Sequence, residues 1–393
     1  MKKIDLNKEI KELKNQIAFS KNIGFFLGAG TSCALGIPNV DQLTTQVGES
    51  LNGDEKDSYD ELKANISLPD DSEVNIEHIL NHIRLVRELT NDSNEKGFQN
   101  LNGDVAKTLD REICKRISEI ITTKEEDADL KNPTKFFAWL NQLSRDFTKE
   151  IFTTNYDLII EKSLERIMTP YFDGFIGSNE PFFFYESIDN SNHRELPPKS
   201  WIRLWKMHGS LNWFWKQVQN SNRIIRVNKK SIESDEKETV IFPSRKKYDL
   251  SRKQPFIAYF DRLKNYLQSG ELLFLFSGYS FSDQHINEIV FNSLRQNNRL
   301  FAVILFFKDE EVEAFIEKSP DFLNLNVFGP TKCILKGEIA EYEFDEGSVI
   351  GDFNDFWDSE NKKLKIVDFN HLVDFLVQNS GKTEKQLLDR YED

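Results

Sequence analysis

The residues whose types could do chemistry fall in four short runs. They are Gly28-Ala29-Gly30-Thr31-Ser32, then Asn155 and Asp157 in Thr153-Thr154-Asn155-Tyr156-Asp157, His208 in Met207-His208-Gly209-Ser210, and Gly278, Ser280 and Asp283 in Ser277-Gly278-Tyr279-Ser280-Phe281-Ser282-Asp283. Glycine has no side chain to obstruct a ligand and tolerates positive φ, so Gly28 and Gly30 suit a close backbone approach. Thr31 and Ser32 are expected to cap the helix that follows, whose first amides attract phosphate. For Gly-Ala-Gly alone, a tight strand-to-helix turn without a ligand is an equally good reading. An imidazole that titrates near neutrality can take a proton from a hydroxyl or a water. An amide can orient a substrate without carrying charge, and a carboxylate can stabilise a developing cation. Singly, Asn and Asp are common turn formers, and a lone His before Gly is usually structural.

The elements that must position these groups are short and strongly apolar. Gly24 to Leu27, Ile151 to Thr153, Leu204 to Met207, Leu272 to Phe276 and Phe301 to Phe307 read as buried parallel strands. Each of the four runs follows one of them. In an open α/β sheet the carboxyl edge is where ligands bind, so the runs are expected to converge on one cleft. The fold class expected is a Rossmann-like parallel sheet flanked by helices, with a large helical insertion. About a hundred acidic, Asn-rich residues between the first two strands carry helical patterns, giving an insertion at about 46–140 in a domain spanning 1–310. Residues 311–393 read as a C-terminal α/β extension packed on it, including a helix over Val367 to Gln378.

Composition narrows the function classes. The 393 residues include 32 phenylalanines, enough apolar bulk for a substantial core. The net charge of −14 argues against broad nucleic-acid binding, which needs a basic surface. The best local basic patch, Ser244-Arg245-Lys246-Lys247 with Arg252-Lys253, reads as a solvated loop. Cys33, Cys114 and Cys333 are odd in number and far apart, which suits reduced thiols and a cytoplasmic protein. No apolar run approaches the length of a membrane span. Leu6, Ile10, Leu13 and Ile17 recur at helical spacing, so the N-terminal segment reads as an amphipathic helix rather than a secretory leader. Ile76, Ile79, Leu80 and Ile83 form another helical stripe, with His78 and His82 four apart beside it. That spacing could share a metal, but without a third ligand two solvated histidines are the simpler reading, and no metal is expected. An ordinary dehydrogenase would need glycine where Cys33 stands, and a Walker-type ATPase would need a GxxxxGK run, which the sequence lacks.

Taken in order, the GAGTS run with its Gly36-Ile37-Pro38 continuation, TTNYD, HGS and GYSFSD resemble the sirtuin-like family of NAD-binding domains, over roughly residues 20–290. The resemblance implies that Gly28, Ala29, Gly30, Thr31 and Ser32 cradle the pyrophosphate and that Ile37 and Pro38 border the nicotinamide pocket. It also implies that Asn155 and Asp157 face nicotinamide and its ribose, that His208 is the catalytic histidine, and that Gly278 and Ser280 touch the adenosine side. Asp283 is grouped with them as cofactor-binding. Protein-deacylating members carry a four-cysteine zinc module, whereas residues 211–270 here contain no cysteine, and Asn39-Val40-Asp41 and TTNYD replace the deacylases' versions. These departures resemble the divergent branch of bacterial anti-phage systems. They imply an NAD+ glycohydrolase effector that depletes cellular NAD during abortive infection, with NAD as substrate. They further imply a homo-oligomer and a partner such as a HerA-type hexameric ATPase or a short Argonaute. An NAD-dependent deacylase or ADP-ribosyltransferase, and a non-catalytic NAD or ADP-ribose sensor, are the competing expectations.

Overall fold

The computed structural model describes residues 2–68, 73–98, 101–144, 148–188, 197–218, 221–227, 239–241, 254–318, 322–344 and 354–388. The basic patch at 244–253 lies outside them. The chain opens with β1 (Lys2–Asp5) and α1 (Leu6–Phe19), then β2 (Ile23–Leu27) and the short α2 (Ala29–Cys33). Asp5 caps α1 by accepting from the Lys8 amide at 3.3 Å, and Leu6, Ile10, Leu13 and Ile17 are all buried. The helices α3 (Val40–Ser50), α4 (Gly53–Asn65), α5 (Ile76–Thr90), α6 (Gly103–Asp127) and α7 (Lys131–Gln142) precede β3 (Glu150–Thr153). Then come α8 (Ile159–Arg166), β4 (Tyr171–Phe172), β5 (Ile202–Lys206), β6 (Gly209–Val218), α9 (Phe256–Leu267), β7 (Leu272–Ser277), α10 (Gln284–Gln296) and β8 (Leu300–Leu305). The last strands of the main sheet are β9 (Leu325–Phe328), β10 (Lys332–Leu335) and β11 (Glu338–Glu343).

Among the described residues the main sheet has ten strands, in the order β1-β11-β10-β9-β8-β7-β2-β3-β5-β4. The five strands read from the sequence are its contiguous centre, β8-β7-β2-β3-β5, and every neighbouring pair in that centre is parallel. This is a Rossmann-like sheet flanked by helices. The chain runs outward from β2 to β3 and β5, then crosses back to β7 on the other side of β2. The order therefore reverses between β2 and β7, the topological switch point at which such sheets bind ligands.

Alternation along the strands divides the core between the two faces. Phe25, Leu27, Ile151, Leu273 and Leu275 pack on one side with α1 and α7. Phe26, Phe152, Phe274 and Phe276 pack on the other with α9 and α10. Each fully buried phenylalanine contributes on the order of 2–3 kcal/mol. Strand limits differ from the apolar runs because hydrophobicity does not mark where pairing stops. Ile202 and Arg203 already pair with β4, whereas Met207 begins the turn that follows β5. Arg203 is buried in its strand with its guanidinium 5.6 Å from the Phe172 ring centre. Phe307, expected in a strand, is 61% exposed beyond the end of β8.

Two features lay beyond the sequence reading. β6 pairs antiparallel with Ser221–Arg226 and with Thr239–Ile241, in a second sheet. Residues between β2 and β3 also have a core of their own, formed by Leu43, Val47, Tyr59, Ile79, Ile83, Leu109 and Ile113 among others. His78 and His82 are not simply solvated. His78 Nδ1 accepts from the Asn75 amide in a capping box, and burial lowers the pKa of His82. Among the described residues, no group of three or more His, Cys, Asp or Glu is arranged to hold a metal, and no helix is long and apolar enough to cross a membrane.

Lys149, just before β3, is buried and donates to the Asn141 carbonyl at 2.6 Å. Burial lowers its pKa to about 8. The unfolded chain therefore holds this proton more tightly than the folded one, and the penalty present below about pH 8 disappears as pH rises toward the ordinary lysine value. Lys149→Met is expected to raise stability on the order of 1 kcal/mol at neutral pH, after allowance for solvent screening, and by little near pH 10. Thermal midpoints of the two chains measured across that range check it; parallel curves would refute the burial penalty.

Candidate functional site

The switch point is closed by backbone. Gly28, at the end of β2, donates its amide to the Ser277 carbonyl at 2.9 Å, and Gly30 donates to the Gly278 carbonyl at 2.8 Å. A Cβ on Gly28 would lie 2.3 Å from the Gly278 oxygen, and one on Gly278 would lie 2.4 Å from the Thr31 nitrogen. Gly278 also holds φ at +65°. The glycines thus let two loops of the protein interlock, whatever approach to a ligand they also permit. The expected capping differs as well. Thr31 and Ser32 lie inside α2, and Asn39 caps α3 by accepting from the Gln42 amide at 2.8 Å. A hydroxyl already within a helical turn cannot serve the next helix as N-cap; instead Thr31 Oγ1 donates to the Gly28 carbonyl.

The second run meets the first directly. Asn155 Nδ2 donates to the Gly28 carbonyl at 3.0 Å and to Ser32 Oγ at 2.8 Å, with Thr31 Oγ1 at 3.3 Å. Ser32 Oγ donates to Asp157 Oδ2 at 2.6 Å. Asn155 is only 8% exposed, yet its Oδ1 has no hydrogen-bond partner among the described residues. Leaving an amide oxygen buried and unpaired costs on the order of 1–3 kcal/mol, which an incoming donor would recover. Thr153 orders this turn by donating to the Leu27 carbonyl and accepting from the Asn155 amide.

The third and fourth runs also meet. His208 sits in the two-residue turn between β5 and β6, and its Nε2 lies 2.9 Å from Asp283 Oδ2. Asp283 Oδ1 caps α10 through the His285 and Ile286 amides. A carboxylate is an acceptor only, so this contact fixes the Nε2–H tautomer and leaves the lone pair on Nδ1. Sequence reasoning grouped Asp283 with cofactor binding and did not find this pairing; the two residues are 75 positions apart and meet only across strands β5 and β7. Ser280 is exposed and its hydroxyl donates to Ser282, while Pro38 is half-buried beside the buried Ile37.

Neighbouring residues complete the surroundings. Ile37 and Leu211, the latter on β6, are part of the helical core formed mainly by residues between β2 and β3, and Tyr156 packs against it. Burial pushes the Tyr156 phenol well above its ordinary value. Cys33, where a dehydrogenase fingerprint has glycine, is half-buried, and burial followed by the Asp157 carboxylate raises its thiol. That makes it a poor nucleophile.

Residues 149–322 match the SIR2-like domain family. That stretch of the chain is similar to a SIR2-like domain. The matched residues include Asn155, Asp157, His208, Gly278 and Asp283; the Gly28 loop precedes them and joins the matched stretch through the sheet. Among solved structures, the chain is 14% identical to a Sir2 homologue in complex with NAD, over 95% of this chain and 94% of that one, with a TM-score of 0.43. A mutant Sir2 homologue in complex with 2'-O-acetyl ADP ribose is 14% identical over 75% of this chain and 83% of that one, with a TM-score of 0.38. No curated protein matches the chain. The match supports an NAD-related enzymatic function.

Proposed function

We propose that this protein is an NAD+ glycohydrolase that cleaves NAD+ to nicotinamide and ADP-ribose, acting as the effector of a bacterial anti-phage defence system. The observation that carries the reading is the unpaired, buried Asn155 Oδ1, set among Gly28, Ser32 and Asp157 in a chain similar to a SIR2-like domain. It suits a water or a carboxamide N–H as the missing donor. In this reading the bond between the ribose C1' and the pyridinium nitrogen breaks, and its electron pair stays on nitrogen, giving neutral nicotinamide. Positive charge develops on the ribose, as in other glycosyl transfers, and Asp157 stabilises it. Water bonds to C1' and gives its proton to His208, oriented by Asp283. Gly28, Ala29, Gly30, Thr31 and Ser32 border the pyrophosphate, Pro38 the nicotinamide, and Gly278 and Ser280 the adenosine side.

The absence of cysteine from residues 211–270 supports water over acyl-lysine as acceptor, since the zinc module of the deacylases cannot form there. An enzyme that destroys NAD must be restrained until needed. The reading therefore includes an oligomer and a gating partner, such as a HerA-type ATPase or a short Argonaute. The deciding experiment is mass spectrometry of NAD products, with the full chain tested alone and with its genomic neighbour. Nicotinamide and ADP-ribose in equal amounts are expected. ADP-ribose appearing on protein, or turnover of acylated lysine, would replace hydrolysis by transfer; tight binding of NAD without turnover would make the chain a sensor.

A further inference from the structure

Beneath the Asn155–Asp157 turn lies an ion pair that the site chemistry above does not use. Lys206 is 2% exposed, two residues before His208 on β5. Its Nζ donates to the Asp157 carbonyl at 2.5 Å, to Glu161 Oε1 at 2.8 Å and toward the Tyr156 carbonyl at 3.4 Å. Glu161, on α8, is also buried, and its Oε2 has no partner among the described residues. The lysine thus ties the strand leading to His208 to the backbone of the turn carrying Asp157.

Such a tie has an electrostatic consequence. A buried ammonium behind the turn repels any cation that forms in front of it, and the low local dielectric strengthens that repulsion. Glu161 is placed to cancel it. We propose that Glu161 and Lys206 are a positioning pair: the lysine sets the Asp157 turn through its carbonyls, and the glutamate removes the opposition of that lysine to the cation developing on the ribose. This rests on the NAD-cleaving reading. Burial raises the Glu161 carboxyl and Lys206 opposes that rise, so the glutamate depends on the lysine to stay ionised. The other charged or titratable groups facing the pair are Asp157 on the turn, Tyr171 on β4, and Arg226 in its ion pair with Asp173.

Removing only the carboxylate gives a signature that a structural role would not. In Glu161→Gln the ammonium is buried without a counter-charge, which lowers its pKa. Steady-state kinetics of nicotinamide release by the full chain should show kcat lowered about tenfold or more at neutral pH, with KM changing less. The loss should shrink as pH rises and the buried ammonium, without its counter-charge, gives up its proton. Adding Lys206→Met to Glu161→Gln should abolish the alkaline rise and leave a loss that is the same at every pH, because the turn is then untied. An unchanged kcat in Glu161→Gln, a loss in that variant that is the same at every pH, or an alkaline rise that persists in the double variant would overturn the proposal. If wild type itself releases no nicotinamide, the functional reading falls and unfolding decides the pair. The thermal midpoint of Glu161→Gln should then approach that of wild type as pH rises, because the unfolded lysine binds its proton more tightly than the folded one. Parallel midpoints would overturn it.

Discussion

His208→Ala is expected to slow nicotinamide release about a hundred- to ten-thousand-fold, the range a single general base supplies, while the chain stays folded. The fold should survive because His208 lies in a turn outside the strands, and Asp283 keeps its second role as the cap of α10 through Oδ1. The cost to stability is one buried carboxylate oxygen losing its partner, on the order of 1–3 kcal/mol. Asp283→Asn sharpens the test. Asparagine retains the cap oxygen, but its amide can donate to Nε2, which forces the ring proton onto Nδ1 and removes the lone pair that the base needs. A large loss in Asp283→Asn with an ordinary melting temperature would identify tautomer control, whereas full activity in His208→Ala would remove the histidine from the chemistry. The rates come from chromatographic quantitation of nicotinamide, and the folding control from thermal denaturation.

The second large effect is on stability. Gly278→Ala must place a Cβ 2.4 Å from the Thr31 nitrogen and 2.7 Å from the Gly30 carbonyl carbon, at a φ of +65°. Both neighbours are backbone, so no side chain can turn aside. Left-handed strain contributes on the order of 1–3 kcal/mol and the overpacking a further 1–3 kcal/mol. The loss should show in denaturant unfolding. The Gly28 and Gly278 loops would part, taking with them the Gly30–Gly278 hydrogen bond, so NAD binding should fall along with stability. Ser280→Ala, on the same loop but exposed, should leave stability nearly unchanged. A Gly278→Ala chain as stable as wild type would mean that the loops are not locked together as described.

Much of this architecture can be read along the chain. Five apolar runs become the five central parallel strands because strands buried on both faces have no polar alternation to hide them. The site runs stand out for a related reason: Gly-Ala-Gly, Asn-Tyr-Asp and His-Gly each interrupt an apolar run where a strand must end. The antiparallel sheet around β6 was not legible. Trp213, Phe214 and Trp215 form a continuous apolar cluster, and the partner strands lie among mostly polar residues. Arg203, Lys206 and Glu150 also blur the pattern, since buried charges look like surface positions until their partners are known.

By itself the sequence determined which residue types stand at the carboxyl ends of strands, because hydrophobic runs and turn residues are local signals. It also determined the lack of a cysteine module after His208, a matter of composition alone. Tertiary structure decided who meets whom. That Asn155 reaches the Gly28 carbonyl and Lys206 holds the Asp157 carbonyl follows from β2, β3 and β5 being neighbours, and that Asp283 orients His208 follows from the reversal that places β7 beyond β2. Pairings separated by 127, 75 and 49 residues are set by the order of the strands in the sheet, and no spacing along the chain encodes that.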